Sequence, residues 1–280
     1  MPAKKLTIPH LEMVKPTKLT GATLLVALTG WMDGGSVSTG TVKQLMANRD
    51  LIQVARINPD PFYIYNFPGS MDVAAMFRPS TKYANGMVDE IAMPQNAFFA
   101  SKESNLLFFL GQEPNLMWQG FADCVFGVCA AVGVKRIIFI GSFGGSVPHT
   151  REPRLFGSVS HESLKPILAT HGATLSEYEG PSSFATLLMA QAPEHRIEML
   201  SFAAEIPGYL EGENPVSIEA VTRRMARILN QPVDLSRLRH DSDDWEAKVT
   251  RAVEKDKKLA GTIRELEEQY DNQLIAKADD

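Results

Sequence analysis

The chain reads as an α/β protein built on a mostly parallel sheet, and three observations carry that expectation. Apolar runs at residues 23–29 (TLLVALT), 137–140 (IIFI) and 197–204 have the look of strands buried on both faces. Trp118, Phe121, Ala122, Val125, Phe126, Cys129 and Val132 recur at helical spacing and stop at Gly133. That helix leads straight into the 137–140 run, so strand, helix and strand form a βαβ crossover. Finally, the most chemically able residues stand just past strand ends, where open α/β sheets bind their ligands.

Taken in order, residues 6–18 suggest an irregular arm or a short edge strand. The 23–29 strand runs into Gly30-Trp31-Met32-Asp33-Gly34-Gly35, then a helix over 36–48 with Ser36 as its N-cap. Residues 51–57 form the next strand. The long aromatic stretch 58–79 is expected to cover a sheet edge or a subunit contact. Residues 87–93 and 105–110 read as strands, paired as a hairpin with 97–100 involved. After residues 137–140, Gly141, Gly144 and Gly145 are expected to turn the chain sharply. Beyond Pro153 come short strands at 155–160 and 174–178, and helices at 162–170 and 184–191, the latter capped by Ser182 or Ser183. Asn214-Pro215 opens another helix, with Asn as cap and Pro in the first turn. From about Asp234 charge dominates. Trp245, Val249, Ala252, Leu259, Ile263, Leu266 and Tyr270 then follow a helical seam that Asp256 interrupts. The expected division is a core domain over 1–232 and a charged helical extension over 233–280, packed on the core or on a neighbouring subunit. The last residues, 276–280, should fray.

Bulk properties narrow the function. A chain of 280 residues with 44% hydrophobic and 22% charged content folds without disulfide or metal help. A net charge of −5 argues against a broad nucleic-acid-binding face. No apolar run is long enough to span a membrane, and no secretory signal opens the chain. Cys124 and Cys129 sit in an apolar helix, about 140° apart around its axis, and read as buried thiols of a cytoplasmic protein.

Four strand ends carry candidate ligand-binding groups: Asp33 with Gly34, Glu113, the cluster His149-Thr150-Arg151, and Glu205. In a parallel sheet they are expected to converge over one rim. Each also has a plain structural role open to it. Asp33 and Glu113 suit the caps of the helices that follow them. Arg151 has Glu152 beside it, and His149 has loop carbonyls within reach. No nucleophile stands out: Gly141-Ser142-Phe143-Gly144-Gly145 is not a GxSxG elbow, because its serine is second rather than third. There is no HExxH, CxxC or phosphate-loop spacing, so neither a metal nor a cofactor is expected.

Three stretches resemble one known family. Residues 28–35 (LTGWMDGG) resemble the G-[FW]-x-D-x-G turn of the proteasome assembly chaperone (PAC2-type) family. Gly111-Gln112-Glu113-Pro114 before a Trp-bearing helix looks like that family too. Pro148-His149-Thr150-Arg151 is similar to the PHTRP loop of its actinobacterial-type members, with Glu152 separating Arg151 from Pro153. The match runs in order over 23–229. It implies a three-layer αβα fold of the phosphorylase/hydrolase-like kind with a C-terminal helical extension. It also implies a protein-binding role, since archaeal and eukaryotic members assist proteasome assembly and bacterial ones have no assigned function. Assembly factors of the family often end in a hydrophobic-Tyr-X tail. Lys277-Ala278-Asp279-Asp280 is not one, so docking by that route is not expected. The family supplies no catalytic residues. The expectation is a cytoplasmic homo-oligomer, preferably a trimer, that binds proteasome subunits or other proteins, with no nucleic-acid or membrane partner. The alternative is a hydrolase or phosphorylase-type enzyme acting on a small anionic or ribose-containing ligand at the rim of the sheet, with Arg151 holding the anion, His149 moving protons and Asp33, Glu113 or Glu205 orienting a hydroxyl.

Overall fold

The computed structural model describes residues 8–278. Its main sheet has nine strands: β1 (Leu11–Met13), β2 (Ala22–Thr29), β3 (Ile52–Ile57), β6 (Ala97–Ser101), β7 (Leu106–Gln112), β8 (Val134–Gly145), β9 (Arg154–Val159), β10 (Ala173–Leu175) and β11 (Glu198–Pro207). Their order is β1-β3-β6-β7-β2-β8-β11-β9-β10. β3, β7, β2, β8 and β11 run one way, and β1, β6, β9 and β10 the other. The expected α/β architecture is present, with antiparallel strands toward both flanks. The crossover through α3 (Trp118–Val132) links β7 to β8, with β2 lying between them.

Helices cover both faces. On one face α3 and α5 (Phe184–Gln191) pack on Leu24, Val26, Phe109, Phe139 and Met199. On the other, α1 (Val37–Met46), α4 (Lys165–Thr170) and α6 (Pro215–Ile228) cover Leu25, Ala27, Phe108, Ile138, Ile140, Leu200 and Phe202. Alternate residues of β2 serve the two cores in turn, as the pleat requires. Each fully buried Phe or Leu contributes about 1.5–3 kcal/mol. α6 begins as its sequence predicts: Asn214 Oδ1 accepts the Ser217 amide at 3.0 Å, with Pro215 in the first turn. Ser183 caps α5 by accepting the Thr186 amide. Both cysteines are buried, and burial pushes the Cys124 thiol up to about 11.

Four expectations need correction. Gly141, Gly144 and Gly145 do not turn the chain, because β8 runs through Gly145 and pairs with β11 to Pro207. Gly144 instead permits close approach: a Cβ there would stand 3.2 Å from Gly208 Cα. Residues 87–93 do not join the hairpin of β6 and β7. A short helix, α2 (Met71–Ala75), leads into β4 (Ser80–Ala84), and β4 pairs with β5 (Met87–Ala92) in a separate exposed hairpin. The 36–48 helix is not capped by Ser36, which has left-handed dihedrals and no capping side-chain bond. Finally, residues 276–278 are helical and not frayed: α7 (Ser236–Val253) and α8 (Lys257–Ala278) break at Asp256, as the interrupted seam suggests, where the carboxylate accepts the Lys258 and Leu259 amides and starts α8. α8 stays helical to Ala278, whereas Leu6, Asp279 and Asp280 lie outside the described residues.

Candidate functional site

After β2 the chain leaves toward β3 on one side of the sheet, and after β8 it leaves toward β9 and β11 on the other. The carboxyl ends of these adjacent parallel strands therefore diverge, which makes a topological switch point. The loop after β2 is laced to the end of β8. The Ser142 amide donates to Met32 O at 2.8 Å, and its hydroxyl donates to Gly34 O at 2.7 Å. Gly30 adopts φ 131° in this loop, beside the Glu113 side chain.

Two clefts open here. One, of about 700 Å³, lies between the sheet, α5 and the 176–183 loop, with Trp31 and Met32 at its mouth and Gly34 in its lining. The second, of about 540 Å³, includes Gly30, Gln112, Glu113 and Trp118. Trp31 and Pro181 line both, so Trp31, 61% exposed, stands on the ridge between them. Glu113 builds this ridge. One carboxylate oxygen accepts the Trp31 amide at 3.1 Å and the other the Phe184 amide at 2.7 Å, at the start of α5. It thus serves a helix 71 residues away rather than the one that follows it in sequence.

Asp33 lines neither cleft. Its two oxygens accept the backbone amide and hydroxyl of Thr39 at 3.0 and 2.9 Å, which makes Asp33 the side chain that holds the start of α1. Burial raises its pKa, and the Thr39 bonds work against that rise.

His149, Thr150, Arg151 and Glu205 also line neither cleft. His149, Thr150 and Arg151 anchor the C-terminal helices. His149 is 2% exposed, with Nδ1 2.7 Å from Tyr209 Oη and Nε2 3.1 Å from Thr250 Oγ1 on α7. Tyr209 Oη also accepts the His149 backbone amide at 2.8 Å. Desolvation lowers the His149 pKa, with Glu267 pulling the other way, while burial pushes the Tyr209 hydroxyl up to about 12. Thr150 donates to Glu267, and Arg151 clamps Asp271 with bonds of 2.9 and 2.8 Å. Glu152 does not pair with Arg151 but with Arg223 and Arg224 of α6. Glu205 accepts the Ser146 amide at 2.7 Å and pairs with Arg154 at 3.1 Å. The proton-moving His149 and anion-holding Arg151 of the enzyme alternative are thus both engaged within the chain.

The sequence therefore located the switch-point loop but not the cleft beside it. Tyr178, Ser158, Ser201 and Thr186 of the larger cleft were not singled out. For Ser158 and Ser201 the signal was a small hydroxyl residue within a strand; no local pattern marked Tyr178 or Thr186. Among the described residues no group of three or more His, Cys, Asp or Glu side chains is placed to hold a metal.

Solved structures share this fold along most of the chain. A Mycobacterium tuberculosis protein of unknown function is 23% identical, with TM-score 0.84, over 100% of this chain and 95% of its own. A proteasome-assembly chaperone homologue from the same organism is 23% identical, with TM-score 0.74, over 86% of this chain and 99% of its own. An archaeal proteasome activator from Pyrococcus furiosus is 17% identical, with TM-score 0.65, over 87% and 98% respectively. No curated protein matches the sequence. The family profile described as the PAC2 family matches residues 27–253, most of the chain, and the chain belongs to that family.

Proposed function

We propose that the protein is an assembly-chaperone-like, protein-binding member of the PAC2 family, acting on proteasome subunits or other proteins as a cytoplasmic homo-oligomer, preferably a trimer. Family membership supports the general role, as does the fold shared with a proteasome-assembly chaperone homologue and a proteasome activator. The observation that carries the reading is the β4–β5 hairpin. Every residue of both strands is exposed, yet Tyr83 pairs with Val88 and Thr81 with Ile91 on one face. Met71 and Met76 stand exposed just before it. A lone two-stranded hairpin is marginal in water, and large apolar side chains left in solvent together mark protein contacts. No helix of the described residues is long and apolar enough to cross a membrane, which fits a protein partner better than a bilayer.

The test is a pull-down from the native organism with wild-type bait and with the exposed double variant Tyr83→Lys/Val88→Lys. Wild type should retain proteasome subunits or another specific protein partner and the variant should lose it, with unchanged circular dichroism. A wild-type bait that recovers no specific protein, or a variant that recovers the same partner equally, would overturn the proposal.

A further inference from the structure

We propose that the larger cleft at the β2/β8 switch point binds a small organic molecule: a flat aromatic compound of about two fused rings, without negative charge. The site is independent of the hairpin above.

Its position is the first support. Ligands of open α/β sheets settle where outgoing connections of adjacent parallel strands diverge, and this cleft opens at that crevice. Its size is the second, since about 700 Å³ lies within the range of roughly 300–1,000 Å³ that small-molecule pockets occupy. The floor is the third. Cross-strand register sets Phe139, Ser201 and Ser158 in one row, and Gly141, Ala203 and Phe156 in the next. Under α3 and α5 the same sheet face carries Leu24, Val26, Phe109 and Met199, all buried. At the cleft the centre of the floor drops to Ser201 and Ala203, and no helix fills the space above them. Small residues flanked by Phe139, Phe143 and Phe156 leave a slot with aromatic sides.

The chemistry of the lining selects the ligand. Hydroxyls of Ser158, Ser176, Ser201 and Thr186 offer donors and acceptors to a neutral polar group. Among the described residues Glu177 is the one charged residue of the lining, and no Lys, Arg or His lines the cleft. An anion would lose its hydration without gaining a partner. At the mouth, Trp31 and Tyr178 are 61% and 66% exposed, large rings left in water where a planar ligand would stack. The Trp31 backbone is tied down by the hydrogen bond its N–H donates to Glu113, and the Tyr178 ring by the bond its hydroxyl donates to Pro181 O at 3.2 Å.

A charge series on one ring system tests this by calorimetry and saturation-transfer NMR: neutral tryptophol, cationic tryptamine and anionic indole-3-acetate. Tryptophol should bind saturably with a dissociation constant of about 1 mM or tighter, and tryptamine comparably. Indole-3-acetate should bind at least about tenfold more weakly, given Glu177 and the absence of a cation. Ala203→Phe, which fills the floor, should abolish binding. Trp31→Ala, a change at an exposed rim position that leaves the core intact, should weaken it about fivefold or more, and it decides the matter if Ala203→Phe does not fold. Absence of saturable tryptophol binding would overturn the proposal. So would equal binding by the folded variants, or indole-3-acetate binding as tightly as tryptophol. Tighter binding of an acetylated Gly-Trp-Gly amide than of tryptophol would overturn it in favour of a partner protein's side chain.

Discussion

His149 shows how a residue with catalytic potential can be committed to structure. Its ring lies between two hydroxyls, Tyr209 Oη at Nδ1 and Thr250 Oγ1 at Nε2. Burial makes charging this ring costly, because the imidazolium loses its hydration. The folded pKa therefore lies below the ordinary 6.5. Below about pH 6.5 the unfolded chain then binds more protons at this position than the folded one, so stability falls as pH falls through that window. The carboxylate of Glu267 reduces the effect without reversing it. Melting temperature followed from pH 7 to pH 5.5 should drop more steeply for wild type than for His149→Gln. Parallel curves would show that the ring does not carry this dependence. The residue types of the PHTR cluster were legible in the sequence, but their partners were not. Thr250, Glu267 and Asp271 lie 101, 117 and 120 residues away from the groups they bind, and no local spacing encodes such pairings.

At the scale of elements, α8 is held on the body by unequal contacts. The Arg151–Asp271 clamp is bidentate, but its partners are 32% and 47% exposed, so it is worth about 1 kcal/mol or less. Tyr270 counts for more. Its ring is buried, Arg154 lies over it at 5.0 Å, and its hydroxyl donates to Glu152 O at 3.0 Å. Truncating a buried aromatic costs about 3–5 kcal/mol where the site cannot collapse. Tyr270→Ala should therefore release α8 locally: its amides should exchange with solvent much faster by hydrogen-exchange mass spectrometry, while those of β2 and β8 keep their protection. Asp271→Asn should leave both nearly unchanged. If Tyr270→Ala leaves α8 exchange as slow as in wild type, the helix is held by something else. Periodicity made the 118–132 helix legible, and the Asp256 interruption marked the break between α7 and α8. The β4–β5 hairpin was missed although its turn was written plainly. Asn85 and Gly86 take φ 51° and 79°, the pair of positive angles that an Asn-Gly hairpin turn needs.

Over the whole molecule, the carboxyl end of the sheet is used in two ways. At β2 and β8 it stays open as a cleft, while near the ends of β8 and β11 it is roofed by α7 and α8. The apolar runs fixed which strands are central, but strand order was not legible. β6 and β9 reverse direction through pairings that local pattern cannot distinguish from parallel ones. The core clusters suggest where the folding unit ends. Neither contains a residue beyond Leu238, and the second includes Leu235 and Leu238 at the start of α7. We therefore propose that the essential unit extends past residue 232 into α7, and that α8 is an addition. A chain ending at Glu254 should keep a cooperative transition and the wild-type far-ultraviolet spectrum per residue, with a lower melting temperature. A chain ending at Val233 should lose two buried leucines, each worth about 2–5 kcal/mol on removal, along with the helix that bonds to His149. It should aggregate or melt without cooperativity. Equal, cooperative melting of the two truncations would place the boundary at 232 after all and make the α7 contacts dispensable.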